Sequence, residues 1–382
     1  MSRHLDIVRV RIYAVTPSTT PPCRWTGQDG FRRITDNMLR LTAANGLEGW
    51  ASNTSNIAVE EADGEAGPER DLAGRLRALA PQILGASALE REAVNERLLR
   101  HADDTGPKAE SLIDIALWDL MARAAGEPLW RLLGGARDSL PVYASTPVFE
   151  TVEAYVAFVG DLADWGYRAV KLHTRRDPDW DLAMIETVHG AHGTRIGFML
   201  DVEQRYDLKT AVRVGKRLAE LGFHWFEAPL PDADLVACAA LRRAVDVPII
   251  PAGNTLTELD ALRGGLDAGA WDMLRTGPTH NGGISATVRA MALAAAHGTT
   301  VELQSYGYEG RQLAALHIAL GLGNCGWFEQ PVPESDYRYE LGEPPVMDRD
   351  RLIRPPDGPG LGAIPEWDRI EAEAFLSFDV TD

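Results

Sequence analysis

The sequence predicts an α/β protein, a β/α barrel of the TIM type preceded by a smaller α+β domain. Its 382 residues, 45% of them hydrophobic, are enough for one large domain and a smaller one. From Leu140 onward, short runs rich in β-branched and aromatic residues alternate with longer amphipathic segments. After Pro331 this alternation stops, and the chain becomes rich in Pro and Gly. These observations indicate parallel strands joined by helices, with chain of a different kind on either side.

The N-terminal part has the pattern of an α+β domain. Residues 5–14 alternate as a strand does, and two further strands, 37–42 and 49–52, are predicted around the turn Asn45-Gly46. Residues 66–99 are charged and rich in Ala and Leu, which indicates helix. A helix over 108–126 is predicted because apolar residues recur at helical spacing and Gly126 supplies a stop.

Eight apolar runs recur at intervals of roughly 24–28 residues and are predicted to be the barrel strands. They cover residues 142–144, 169–172, 196–200, 223–226, 247–250, 271–274, 300–303 and 326–328. The intervals hold loops and helices, for example 207–221, 256–268 and 285–297. Such units imply a parallel sheet closed by right-handed crossovers, a (β/α)8-type barrel, although the count does not separate seven strands from eight. Residues 367–378 are candidates to return and pack on the N-terminal domain.

Charge and cysteine content exclude several classes of protein. The formal net charge is −18, with 56 acidic and 38 basic residues and no prominent Lys/Arg cluster, so a nucleic-acid partner is not expected. The spacing of Cys23, Cys238 and Cys325 fits neither a zinc site nor a disulfide framework. Residues 1–10 lack the apolar core of a signal peptide, and no apolar run is long enough to cross a bilayer. A cytoplasmic protein without a membrane partner is expected.

Polar side chains follow the predicted strands at their C-terminal ends, where barrels keep their active sites. They are Lys171 and His173 on the second strand, Asp201 and Glu203 on the third, Glu227 on the fourth and Asn254 on the fifth. Charged groups at such positions are costly unless they are paired or bind something, and oxygen ligands from neighbouring strands suit Mg²⁺. Lys171 and His173 share one face of their strand, so the ammonium is expected to lower the pKa of a catalytic imidazole base.

Structural interpretations of the same residues stay open. A strand-end Asp is often a loop cap, and His173 could be a hydrogen-bonded structural histidine. Gly282-Gly283 at the start of a helix could cradle a phosphate, or could form a tight turn with close helix packing.

Several segments make the sequence resemble the mandelate racemase/muconate lactonizing enzyme branch of the enolase superfamily over nearly the whole chain. The motifs are SLIDIALWDLM at 111–121, PLWRLLGG at 128–135, WFEAPL at 225–230, VPIIPAG at 247–253 and NGGI at 281–284. The resemblance implies a (β/α)7β barrel over 136–330 and an α+β capping domain over 1–135, to which the segment 331–382 returns. It also implies a homo-oligomer that binds Mg²⁺ and removes the α-proton of a small carboxylate substrate to give an enediolate.

The resemblance also assigns roles to individual residues. Asp201 and Glu227 match the first two metal ligands, and Asn254 stands where a third carboxylate is usual. Lys171 and His173 occupy a Lys-x-Lys motif, and Glu329 matches a glutamate that hydrogen-bonds the enediolate.

Three departures from the family pattern narrow the implied chemistry. Asn254 reduces the charge around the metal, which Glu203 could restore. Gly277 and Gln304 replace the Asp and His of a second base, which disfavours a two-base racemase.

The resemblance and these departures predict a lyase, a Mg²⁺-dependent dehydratase of an acid sugar. His173 would be the base, and Tyr306 or Tyr308 could donate a proton to the leaving hydroxyl. Arg24 and Trp25 are candidate substrate contacts from the capping domain. The alternatives are an epimerase or cycloisomerase of another carboxylate, or a ligand-binding member of the superfamily without turnover.

Overall fold

The computed structural model describes residues 3–18, 32–58, 72–101, 107–342, 345 and 347–381. The strands are β1 (Ile7–Val15), β2 (Arg32–Ala43), β3 (Glu48–Ala58), β4 (Leu140–Ser145), β5 (Ala169–His173), β6 (Gly197–Asp201), β7 (Phe226–Glu227), β8 (Ile249–Ile250), β9 (Leu274–Thr276), β10 (Val301–Leu303), β11 (Phe328–Pro331), β12 (Leu352–Ile353) and β13 (Leu376–Thr381). The helices are α1 (Leu72–Leu79), α2 (Arg91–Leu99), α3 (Lys108–Ala125), α4 (Leu129–Leu132), α5 (Val152–Asp164), α6 (Pro178–His192), α7 (Leu208–Glu220), α8 (Leu235–Ala244), α9 (Leu259–Asp267), α10 (Gly283–Ala296), α11 (Glu309–Gly321) and α12 (Trp367–Glu373).

The N-terminal sheet is antiparallel, in the order β13-β1-β2-β3. The predicted Asn45-Gly46 turn joins β2 to β3, and Gly46 takes the left-handed φ of 84° that this turn requires. α3 packs on β3, where a Cβ on Gly49 would lie 2.2 Å from the carbonyl oxygen of Ala116. Glycine at position 49 therefore lets the helix approach the sheet closely.

The helix predictions for this part are confirmed with one refinement. α3 ends at Gly126, whose φ of 71° makes it the left-handed cap. The described part of the predicted helical segment 66–99, residues 72–99, contains two separate helices, α1 and α2, because a 3₁₀ turn at Ala80–Gln82 follows α1 and includes Pro81; residues 66–71 lie outside the described residues. Proline supplies no backbone N–H, so it favours a break in the helix there.

The C-terminal part is the predicted barrel, with seven helices, α5 to α11, alternating with eight strands, β4 to β11. The strands are parallel and pair in the order β11-β4-β5-β6-β7-β8, with β9 and β10 paired to each other. Backbone hydrogen bonds bridge the two interruptions: Asp272 N donates to Ile249 O, and Val301 N donates to Asn324 O. The prediction of a (β/α)7β barrel with an α+β domain is confirmed.

A layer of side chains fills the barrel below its C-terminal mouth. It consists of Tyr143, Ala169, Met199, Trp225 and Ile250, with Met273 and Trp327 against it. The Tyr143 and Trp225 rings meet edge to face with centroids 5.4 Å apart. Because this layer closes the barrel from below, the polar residues above it face only the mouth.

The segment after the barrel joins both parts of the molecule. β12 pairs antiparallel with β4, and β13 pairs antiparallel with β1. The domain limits 1–135, 136–330 and 331–382 stay a prediction. Among the residues that the structure describes, no helix has the length and apolar character needed to span a membrane.

Candidate active site

The polar strand-end residues come together at the C-terminal mouth of the barrel. In the parallel register, His173 on β5 lies beside Asp201 on β6, and Asp201 lies beside Glu227 on β7. All three side chains are buried. They border a cavity of about 410 Å³, large enough for a small-molecule ligand. Lys171, Glu203, Asn254, Arg275, Gln304, Tyr306 and Glu329 also line it.

Lys171 is surrounded by carboxylates. Its Nζ lies 3.0 Å from Glu227, 2.6 Å from Glu329 and 3.8 Å from Asp201. Burial and the neighbouring Arg275 lower the pKa of Lys171, but the three carboxylates outweigh them and raise it above its usual value. Lys171 is therefore held as an ammonium, which can neutralise charge but cannot accept a proton.

Arg275 on β9 is a second buried cation in the same cluster. Its guanidinium lies 2.9 Å from Glu227 and donates to Glu329 at 2.9 Å. Glu329 also accepts hydrogen bonds from the Ser145 hydroxyl and the Ser305 amide. Burial raises the pKa of Glu329, but Arg275 and Lys171 hold it far below its usual range. An ionised Glu329 has no proton to donate, and here it anchors two cations; the hydrogen bond to an enediolate that the resemblance implies stays a prediction.

His173 presents a defined ring atom to the cavity. Its Nδ1 is 2.6 Å from the carbonyl oxygen of Thr146, so Nδ1 carries the proton and Nε2 faces Asp201 at 3.3 Å. Burial lowers the pKa of His173, but the hydrogen bond and charge of Asp201 raise it above its ordinary value. Lys171 lowers the pKa of His173, as predicted, but Asp201 outweighs it, so the net shift is upward and does not favour the neutral imidazole that was expected.

The donor atoms at this mouth fit a magnesium ion. Asp201 and Glu227 supply carboxylate oxygens from adjacent strands, and Asn254, which is exposed, supplies an amide to the same cavity. Mg²⁺ prefers such oxygen ligands and keeps several waters. Within the described ranges, no group of three or more His, Cys, Asp or Glu side chains could hold a metal. That Asn254 fills a third place at the metal stays a prediction.

Glu203 is engaged elsewhere in the structure. Its Oε2 lies 2.5 Å from Arg176 Nη2, and its backbone takes a left-handed φ of 49°. Burial and repulsion from Asp201 raise the pKa of Glu203 to about 7. The idea that Glu203 restores the missing metal charge stays a prediction, and the Arg176 contact opposes it.

The remaining candidates lie on the wall opposite the base or outside the described residues. The Tyr306 ring stands edge-on to His173 with centroids 6.0 Å apart, and its hydroxyl accepts from Tyr337 at 2.6 Å. A Cβ on Gly277 would lie 3.0 Å from the Gln304 carbonyl oxygen, so Gly277 and Gln304 are close neighbours. The candidate contacts Arg24 and Trp25 lie outside the described residues.

Sequence reasoning passed over four buried or half-buried groups in and around this cavity. They are Arg275, His280, Glu302 and Arg311. A signal for Arg275 was present, because a charge directly after the apolar run 271–274 continues the inward-facing alternation of a barrel strand. Arg311 lies on the first turn of α11, and no strand pattern marks such a position.

Two family models together match most of the chain. Residues 10–134 match "Mandelate racemase / muconate lactonizing enzyme, N-terminal domain", and residues 154–369 match "Enolase C-terminal domain-like". A D-galactarolactone cycloisomerase from Agrobacterium fabrum is 26% identical over 92% of this chain and 93% of its own length.

Solved structures share the whole architecture. One from Pseudovibrio sp., assigned to the mandelate racemase/muconate lactonizing enzymes, is 33% identical, has a TM-score of 0.93, and covers 98% of this chain and 99% of its own. D-glucarate dehydratase from Agrobacterium tumefaciens, solved with magnesium, is 26% identical with a TM-score of 0.84, over 98% of this chain and 100% of its own. Curated relatives at 25–31% identity include racemases, cycloisomerases and acid-sugar dehydratases.

Proposed function

Because this chain belongs to the mandelate racemase/muconate lactonizing enzyme branch of the enolase superfamily, we propose that it is a Mg²⁺-dependent dehydratase of an acid sugar. The single observation that carries this proposal is the placement of His173 Nε2, 3.3 Å from Asp201 and facing the cavity. It puts one candidate base beside one candidate metal ligand. Acid-sugar dehydratases among the relatives, such as L-talarate/galactarate dehydratase from Salmonella typhimurium, support the choice of reaction.

Asp201 and Glu227 would hold the magnesium ion, with the Asn254 amide in the third place. The magnesium in D-glucarate dehydratase supports this assignment. Bound there, the ion supplies positive charge that makes a proton α to the substrate carboxylate acidic enough to remove. The Lys171 ammonium adds a fixed positive charge beneath the same position, since Glu227, Glu329 and Asp201 keep it protonated.

His173 would perform both proton transfers on one face of the substrate. Nε2 takes the α-proton as the C–H bond breaks, because Nδ1 is committed to Thr146. The electron pair forms a carbon–carbon double bond as the β C–O bond breaks. The same Nε2 then returns its proton to the departing hydroxide, which leaves as water. Tyr306, edge-on to His173, is a second candidate donor to that hydroxide.

The opposite wall supports elimination over racemisation. The resemblance aligns Gln304 and Gly277 with the positions of a second base, and neither an amide nor a glycine accepts a proton at neutral pH. A racemase needs bases on both faces of the α-carbon, whereas a syn elimination needs one.

A cycloisomerase is the second candidate, because the cycloisomerase relative matches nearly the full length of the chain. Incubation with Mg²⁺ and a panel of acid sugars in deuterated water, followed by NMR, separates the possibilities. The dehydratase predicts a 2-keto-3-deoxy product. Deuterium exchange at the α-carbon without loss of water would refute the dehydratase and favour an epimerase, and ring closure or opening would favour the cycloisomerase. Binding of an acid without any reaction would favour a non-catalytic member.

A further inference from the structure

One cation at the cavity wall has no carboxylate partner among the described residues. Arg311, on the first turn of α11, is 6% exposed and lines the cavity. Among the residues that the structure describes, its one hydrogen bond joins Nη2 to the ring nitrogen Nδ1 of His280 at 3.5 Å, and its Nε has no partner there. A buried guanidinium without a carboxylate partner destabilises the fold, and an anionic ligand that accepts its hydrogen bonds would offset that cost.

The carboxylates of the cavity are already matched with other cations. Glu227 and Glu329 are bound by Lys171 and Arg275, and Glu203 pairs with Arg176. Asp201 faces His173 and Lys171. None of these four carboxylates forms an ion pair with Arg311 in the described part of the chain.

The surroundings of Arg311 favour an anion further. Burial and the charges of Arg311, Lys108 and Arg275 hold the pKa of His280 well below its usual value, so His280 is a neutral acceptor and not a competing charge. Lys108, at the start of α3, borders the same cavity. Gly307 leaves the space that the Arg311 stem occupies, since a Cβ there would lie 2.8 Å from Arg311 Cδ.

We infer that Arg311, with His280 and Lys108 beside it, binds a second carboxylate at the end of the substrate remote from the reacting carbon. Arg311 enters the cavity from the first turn of α11, whereas Lys171 and His173 enter from β5. A linear acid bound between these two walls would carry a carboxylate at each end. The substrate class is then a dicarboxylic acid sugar and not a monocarboxylic one. This inference rests on the proposed function only in taking this cavity as the substrate site, because it concerns how the substrate binds and not how it reacts.

The test is calorimetric binding of glucarate, galactarate, gluconate, galactonate and gluconate 6-phosphate to the Mg²⁺-loaded protein. At least one diacid should bind about 10- to 100-fold more tightly than its monoacid, the range expected for charge-assisted hydrogen bonds. Arg311→Met should remove that preference, and Arg311→Lys should keep part of it. Arg213→Met, which removes an exposed arginine on the outer face of the barrel, is the matched control and should change nothing.

Equal binding of diacid and monoacid by the wild type, or binding of neither, would overturn the inference. So would an unchanged preference in Arg311→Met, and tighter binding of gluconate 6-phosphate than of glucarate would overturn the assignment of a carboxylate. Turnover is measured separately, so a diacid that binds without reacting would count against the dehydratase while leaving this inference intact.

Discussion

Arg275 Nε lies 2.9 Å from Glu227 Oε1, so a carboxylate proposed to bind magnesium also receives a buried guanidinium. Lys171 Nζ contacts the same oxygen at 3.0 Å. Together with Glu329, these side chains form an alternating ring of two cations and two anions across the barrel. The ring lowers the electron density that Glu227 can offer a metal ion, and it fixes the carboxylate in place.

Removing Arg275 should destabilise the fold. Arg275→Met would leave Glu227 and Glu329 with one cation in place of two, and breaking a buried ion pair from one side costs about 3–5 kcal/mol. Urea unfolding followed by circular dichroism measures the change. Arg213→Met, on the surface, should change the free energy of unfolding by less than about 0.5 kcal/mol. If both substitutions changed the free energy of unfolding equally, the ring of buried ion pairs would not be a major source of stability.

His173→Asn should lower turnover of the substrate by about 10²- to 10⁴-fold, because it removes the proposed base but keeps a polar side chain. Magnesium affinity should stay within a few-fold of the wild type, since Asp201 and Glu227 are untouched. His297→Asn, on the outside of the barrel, is the control and should keep full activity. An active His173→Asn protein would show that His173 is not the base.

Asn254→Asp should tighten magnesium binding. A third carboxylate would add one negative charge at the metal, and a charge pair at about 4 Å is worth about 4 kcal/mol near a protein surface before the cost of dehydration. We expect a gain of at least about tenfold in affinity, measured by calorimetry with Mg²⁺ alone. Asp201→Asn should abolish binding in the same assay. If Asn254→Asp left the affinity unchanged, residue 254 would not be a ligand.

The stability of the protein should fall as pH rises, in part because of carboxyl groups outside the active site. Asp36 on β2 is fully buried beside Glu340 and Glu309, and burial raises its pKa from 3.8 to about 7. Burial and Glu340 also raise the pKa of Glu309 to about 7. The folded state therefore favours the protonated acids, so their contribution is full below about pH 4 and is lost as pH rises through about 7.

Asp36→Asn should reduce this pH dependence. Between about pH 5 and about pH 8, the variant should lose at least about 1 kcal/mol less stability than the wild type does, because one titrating group is gone. Unfolding in urea at both pH values gives the difference. Asp260→Asn, at an exposed position, is the control. Identical pH dependence in Asp36→Asn and the wild type would show that this acid is ionised in the fold at both pH values.

The architecture could be predicted from sequence because each repeating unit carries its own local signal. The strand β6 and the helix α7 lie within a residue or two of their predicted limits, since hydrophobic period and Asp207 capping act locally. β7 is shorter than predicted because only Phe226 and Glu227 pair with both neighbours. Pairing depends on the adjacent strands, which a single segment does not reveal.

The positions of Asp201 and Glu227 were predictable for the same reason, since parallel strands bring their C-terminal ends together. The residues that form ion pairs at this mouth of the barrel could not be predicted in the same way. Arg275 lies 132 residues from Tyr143 and 54 residues from Glu329 along the chain, so no local sequence pattern predicts that these side chains are in contact. The pKa of His173 depends on the charges nearest to its ring. The sequence spacing put Lys171 near His173, but it did not show that Asp201 contacts the ring.

The pairing of β13 with β1 has a consequence for biosynthesis. Arg9 and Asp379 meet across these strands although 370 residues separate them, so β1 leaves the ribosome long before its neighbour β13 is made. At the usual pace of translation, roughly 20–70 s pass between the synthesis of the two strands. During that time one edge of β1 has no neighbour, and an open strand edge invites pairing with other chains. Early pairing with β2 covers only the opposite edge of β1, so the edge that faces β13 stays open until β13 is made.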